Sequence, residues 1–205
     1  MRARIRAAGG SDAIELLAVT KGFGPEAVAA AAFAGCRMIG ENYAQELLEK
    51  RAVAADGRLA IHFIGQLQSN KVRQVADAVA VWETVDRPSL VEEIVRRAPG
   101  ATVLIQVNTT GEPNKGGCPP DDVPALLERA RAAGLAVDGL MTVGPTEGGA
   151  EAARPGFRQV RALVDELGLA TCSMGMTDDL EVAVEEGTTR VRLGTALFGP
   201  RPPRP

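Results

Sequence analysis

Lys21 is the residue of this sequence best suited to covalent chemistry. It follows the run Leu16-Leu17-Ala18-Val19-Thr20 and precedes Gly22. A lysine at the end of an apolar strand is drawn partly out of water, which disfavours its charged form. The neutral amine is then a nucleophile of the kind that captures aldehydes. The chain has four lysines, Lys21, Lys50, Lys71 and Lys115. Lys115, in Pro113-Asn114-Lys115-Gly116-Gly117, is the one rival. A solvated lysine in a strand-to-helix loop is the plainer reading of Lys21, and position by itself leaves both readings open.

The second set of groups suits an anion. Ser173, Gly175 and Thr177 follow one late β-type run, and Gly194 and Thr195 follow the next. Hydroxyls and exposed backbone N–H groups in such loops attract phosphate. Thr177 also suits the N-cap of the helix after it, so ordinary turn chemistry accounts equally well for these residues. Arg192 lies between Val191 and Leu193 and shares a strand face with Arg190. A buried guanidinium needs a partner. That partner is either a ligand's ring nitrogen or anion, or a carboxylate such as Glu41. His62, the only histidine, reads as an interior residue of an apolar strand. Cys36, Cys118 and Cys172 contain no C-x-x-C pair. No zinc site, other metal site or disulfide framework is expected, and a cytoplasmic setting is.

These groups need a scaffold that gathers the ends of distant runs. β-type runs at 15–20, 36–40, 59–64, 79–85, 102–108, 137–143, 169–174 and 190–194 alternate with helical runs. The helical runs are 25–34, 42–53, 69–75, 87–97, 121–133, 149–167 and 178–186. No hairpin signal joins neighbouring runs, which predicts a parallel sheet. Eight such units predict an α/β fold, a single (β/α)8 TIM-type barrel, with an open doubly wound sheet as the alternative. Barrel function sits at the C-terminal ends of the strands, where Lys21, Ser173, Gly175, Thr177, Arg192, Gly194 and Thr195 fall. Residues 1–199 read as one domain and 200–205 as a Pro-rich tail. The apolar fraction of 45% allows an ordinary core, and the net charge of −3 gives no basic footprint for nucleic acid. No run is long and apolar enough to predict a membrane span, and residues 1–10 lack the apolar stretch of a secretory signal.

Six segments, in order, resemble the pyridoxal phosphate homeostasis protein family. They are LLAVTK at 16–21, GENYAQE at 40–46, HFIGQLQSNK at 62–71, GLMT at 139–142, SMGMTDD at 173–179 and VRLGTALFG at 191–199. The resemblance implies a fold-type III barrel for pyridoxal 5′-phosphate (PLP), similar to the N-terminal domain of alanine racemase. It implies that Lys21 is the Schiff-base lysine and that Asn42 lies near the cofactor. It implies that Ser173, Thr177, Gly194 and Thr195 grip the phosphate and that Arg192 faces the pyridine nitrogen. The implied role is PLP and amino-acid homeostasis by a monomeric protein without strong catalysis, with apo PLP-dependent enzymes as partners. The alternative is a slow amino-acid racemase. Racemases of this fold use a second base, a tyrosine from a further domain, and this sequence offers only Tyr43. The sequence departs from the family pattern at Gly22-Phe23-Gly24-Pro25, at Gln66 and in a short first helix.

Overall fold

Proline and glycine punctuate the chain where a helix must start or stop. Pro25 opens a helix because its fixed φ suits the first turn, and Gly35, at φ 78°, takes the left-handed conformation that ends it. The computed structural model describes residues 1–201. Its strands are β1 (Glu15–Val19), β2 (Met38–Glu41), β3 (Ala60–Phe63), β4 (Val81–Val85), β5 (Thr102–Val107), β6 (Ala136–Thr142), β7 (Thr171–Ser173) and β8 (Arg190–Leu193). The helices of the first half are α1 (Arg2–Ala7), α2 (Pro25–Phe33), α3 (Ala44–Asp56), α4 (Val72–Val75) and α5 (Pro88–Arg97). Those of the second half are α6 (Val123–Ala132), α7 (Arg154–Glu166), α8 (Leu180–Glu185) and α9 (Thr195–Phe198). Short 3-10 turns lead into α4, α6 and α7.

The eight strands form one closed barrel in sequence order. Closure rests on the parallel ladder between β1 and β8, from Glu15 opposite Arg190 to Ala18 opposite Leu193. That ladder decides against the open sheet. Boundaries shift from the sequence expectation for local reasons. β2 begins at Met38 rather than at 36, because the Cys36 N–H is spent on the Ala31 carbonyl at the end of α2. β7 keeps only Thr171–Ser173 of the expected 169–174, since the Leu169 N–H bonds back to Val164 in α7. The helix expected at 42–53 starts two residues later, because Tyr43 is extended, and runs on to Asp56. The short α9 was not expected.

One strand face packs outward against the helices. Ala18, Ile39, Phe63, Trp82 and Val103 join Val28, Leu47, Leu90, Leu127 and Phe157 in the main buried cluster. A smaller cluster of Ile5, Ile14, Leu180, Val184, Val191 and Leu193 lies where α1 and α8 cover the closing strand. Strand alternation then turns Arg190 and Arg192 to the opposite face, into the barrel. The three cysteines are free thiols. Among the described residues no helix is long and apolar enough to cross a membrane. No group of three or more His, Cys, Asp or Glu residues among them could hold a metal ion. The expected tail at 200–205 lies, from residue 202 onward, outside the described residues.

Candidate functional site

The loop that carries Lys21 is clamped on both sides. Thr20 donates its hydroxyl to Glu41 Oε1 at 2.5 Å, and its carbonyl accepts from Lys50 Nζ at 2.8 Å. Beyond Lys21, the Gly22 N–H donates to Glu46 Oε2 at 2.7 Å. Lys50 ties these anchors together, lying 2.8 Å from Glu41 and 3.3 Å from Glu46. Lys50 and Glu41 are fully buried behind the barrel wall, between α3 and the ends of β1 and β2. Burial pushes the Glu41 carboxyl up, against the pull of Lys50 and Thr20. Gly22 turns the chain at φ 76°, a conformation side chains disfavour.

Lys21 itself is half-buried and faces a cavity of about 220 Å³ at the barrel mouth. Burial lowers its pKa, and the charges of Arg201 and Arg192 lower it further against the opposing pull of Glu41 and Glu46. Arg192, Thr177, Gly194, Thr195 and Arg201 line the same cavity, with Val19, Ile64 and Met141 as apolar wall. The sequence reading placed Lys21, Thr177, Arg192, Gly194 and Thr195 at one site, and the fold brings these five together from three strand ends.

Beneath the cavity a chain of charged groups fills the barrel. Arg192 donates to the Ser173 carbonyl at 2.7 Å, to Ser173 Oγ at 2.9 Å and to the Thr142 carbonyl at 2.6 Å. Ser173 Oγ donates to Glu83 Oε2 at 2.8 Å, and His62 Nδ1 lies 2.6 Å from Glu83 Oε1. Arg190 reaches Glu83 at 3.2 Å and Glu15 at 2.6 Å. Burial alone would push the Glu83 carboxyl up. Its hydrogen bond and attraction to His62, with the charges of Arg190 and Arg192, outweigh burial and hold it at about 2. Arg192 therefore has no ion pair with Glu41, the alternative open from sequence, since Glu41 belongs to the Lys50 clamp.

Other expectations are displaced. Thr177 does not cap the helix after it. Asp179 is the N-cap residue of α8 and accepts the Met176 N–H, while the Thr177 hydroxyl accepts the Ala196 N–H at 3.3 Å and joins the loops after β7 and β8. Ser173 is fully buried below Arg192, with its hydroxyl engaged by Glu83 and Arg192. Asn42 lines a neighbouring cavity with Tyr43, Gln66 and Lys71 rather than the one Lys21 faces. Lys115, the rival amine, is tied to Glu112 at 2.8 Å and to the Gly144 carbonyl. Glu83, Lys50 and Arg201 escaped the sequence reading. A charge inside the β-type run VWETV was the available signal for Glu83. For Lys50 it was the placement four residues after Glu46, on the side of α3 that faces the barrel.

Comparison with known proteins gives the lineage. The family model for the alanine racemase N-terminal domain matches residues 2–202. A pyridoxal phosphate homeostasis protein of Pseudomonas aeruginosa is 43% identical over 98% of this chain and 91% of its own length. The chain belongs to the pyridoxal phosphate homeostasis protein family. A second such protein, from Aquifex aeolicus, is 41% identical over 96% of this chain and 91% of its own. Among solved structures of similar proteins, PipY of Synechococcus elongatus with PLP bound superposes with a TM-score of 0.84 at 31% identity, covering 97% of this chain and 99% of that one. A protein of Bifidobacterium adolescentis superposes at 0.85 with 36% identity, covering 96% of this chain and 89% of its own. The homeostasis protein family thus accounts for the barrel from α1 to the loop after β8.

Proposed function

We propose that this chain binds PLP through Lys21 and serves PLP homeostasis, holding the cofactor and releasing it to apo-enzymes rather than turning over substrate quickly. One observation carries the reading: the half-buried amine of Lys21 shares a cavity with hydroxyls, cations and an apolar wall. That donor set fits the group. The amine suits an aldehyde, Thr177 and Thr195 with Gly194 suit a phosphate, and Ile64 and Met141 suit the faces of a ring. PipY, a similar protein solved with PLP bound, supports the choice of cofactor. When bound, the cofactor supplies an aldehyde that condenses with a primary amine, with loss of one water, and a pyridine ring that can withdraw electrons.

The chain's own residues set how that chemistry is used. The clamp by Glu41, Lys50 and Glu46 fixes the backbone on both sides of Lys21, and the lowered pKa increases its neutral, reactive fraction. Three hydrogen bonds hold the Arg192 guanidinium at the cavity floor. A fixed cation beside a ring nitrogen disfavours protonation there, and an unprotonated ring is a weak electron sink. Tyr43, the only tyrosine of the sequence, lines the neighbouring cavity rather than the one Lys21 faces, so it does not serve there as a second base. Both features favour binding over racemisation. Monomeric behaviour belongs to the same reading.

Adding PLP should raise an absorbance band near about 420 nm, and borohydride should lock a covalent adduct onto Lys21 that mass spectrometry locates. Lys21→Ala should abolish both while the barrel keeps its circular dichroism. An adduct that maps to Lys115, or amino-acid racemisation by the loaded protein at about 1 s⁻¹ or faster, would count against this reading.

A further inference from the structure

We propose that Arg201, reaching back over the mouth of the barrel, is a phosphate-binding arm of the Lys21 cavity and makes the site select phosphorylated over unphosphorylated aldehydes. The proposal rests on the reading above and assigns a residue beyond the strand-end loops. Arg201 lies past α9, yet its side chain returns to the first strand end. A Cβ placed on Gly22 would stand 3.0 Å from Arg201 Cδ, so the arm passes directly over this turn. The guanidinium lines the cavity together with Lys21, Thr177 and Thr195.

The other cations at the cavity have tasks that leave the phosphate to Arg201. Arg192 is buried at the floor, with its hydrogen bonds given to Ser173 and Thr142. Lys21 is the amine for the aldehyde. Among the described residues Arg201 has no carboxylate within ion-pair distance, whereas Arg4 and Arg87 each have one and Arg154 and Arg190 have more. Asp178 also lines the cavity and is attracted by Arg4, which lies outside it. Lys21 and Arg201 thus share the cavity as like charges, and among the described residues neither has a carboxylate within ion-pair distance. Arg201 disfavours the charge on Lys21 until a ligand of negative charge enters. A phosphate monoester carries about −1.5 to −2 charge at neutral pH and accepts paired guanidinium hydrogen bonds. The gap between two unpaired cations, rimmed by threonine hydroxyls, suits that group better than it suits a neutral hydroxymethyl.

The test compares PLP with pyridoxal, which has the same ring and aldehyde but no phosphate. In Arg201→Gln, PLP affinity should fall on the order of 10-fold, while pyridoxal affinity stays within about twofold of wild type. Arg201→Lys should recover part of the loss. A second readout needs no cofactor: the pH at which half of Lys21 reacts with acetic anhydride, followed by mass spectrometry, should move upward in Arg201→Gln. The exposed position of Arg201 means neither variant threatens folding. Equal weakening of both aldehydes, unchanged PLP affinity, or an unmoved Lys21 titration would overturn the assignment. If wild type traps PLP on Lys21 and Arg201→Gln does so equally well, this inference alone fails. If wild type traps none, the reading beneath it fails as well.

Discussion

Lys21 and Ser173 show how far a side chain's neighbours decide its chemistry. Both sit at strand ends, yet Lys21 opens into a cavity and Ser173 is sealed beneath Arg192. Lys21 was legible from the sequence because an apolar run followed by glycine marks a strand end with a tight turn. The engagement of Ser173 was not, because Glu83 and Arg192 lie on other strands and only closure of the barrel brings them together. A hydroxyl already committed to a carboxylate and a guanidinium is a poor candidate for holding phosphate. Ser173→Ala should therefore cost about 1.5–3 kcal/mol in urea unfolding, the scale of buried hydrogen bonding to charged groups. It should leave the ratio of PLP to pyridoxal affinity unchanged. A ratio that drops as it does in Thr177→Ala would return Ser173 to the phosphate side. Arg201 was hidden for a different reason: its contact is with Gly22 at the other end of the chain, and nothing in Pro200-Arg201-Pro202 signals a return.

Among the elements, the strand ladder supplies hydrogen bonds and the interior charges supply cross-links. Glu83 on β4 touches His62 on β3, Ser173 on β7 and Arg190 on β8, and Arg190 extends the chain to Glu15 on β1. The apolar and β-branched runs gave the strand positions well from sequence, because periodicity is a local property. These cross-links are not local, and each residue alone reads as an isolated polar interruption of a strand. Removing one partner of a buried charge network leaves the others uncompensated, so Glu83→Gln should lose roughly 3–5 kcal/mol near neutral pH. The pH dependence has a definite sign. An unfolded glutamate titrates near about 4.3, and the folded one is held at about 2. Its stabilisation, on the order of 3 kcal/mol, is present above the unfolded value. It disappears as pH falls through that window to the folded value. Acid titration followed by tryptophan fluorescence should show this loss in wild type and a flatter profile in Glu83→Gln. Parallel profiles would mean that other carboxylates govern acid unfolding.

The whole molecule is a ring, and its stability depends on the seam where the last strand meets the first. Eight alternating β and α runs made the barrel legible, since parallel strands with helical crossovers and no hairpins leave few topologies. What sequence could not show is how the seam is sealed. The short α1 lies across α8, where Arg4 pairs with Glu181 at 2.6 Å and Ile5 enters the cluster of Ile14, Leu180, Val184, Val191 and Leu193. The ion pair is largely solvated and contributes little, so the burial of Ile5 carries the contact. Ile5 is 0% exposed, and truncation leaves a cavity that its neighbours fill only partly. Ile5→Ala should then destabilise the barrel by about 2–4 kcal/mol in urea, while Arg4→Ala should cost under about 1 kcal/mol. If both changes prove equally mild, the seam is held by the β1–β8 ladder and α1 is an accessory. If Ile5→Ala is costly, amide exchange should show β8 and β1 opening earlier than β4 and β5, because the seal lost is theirs.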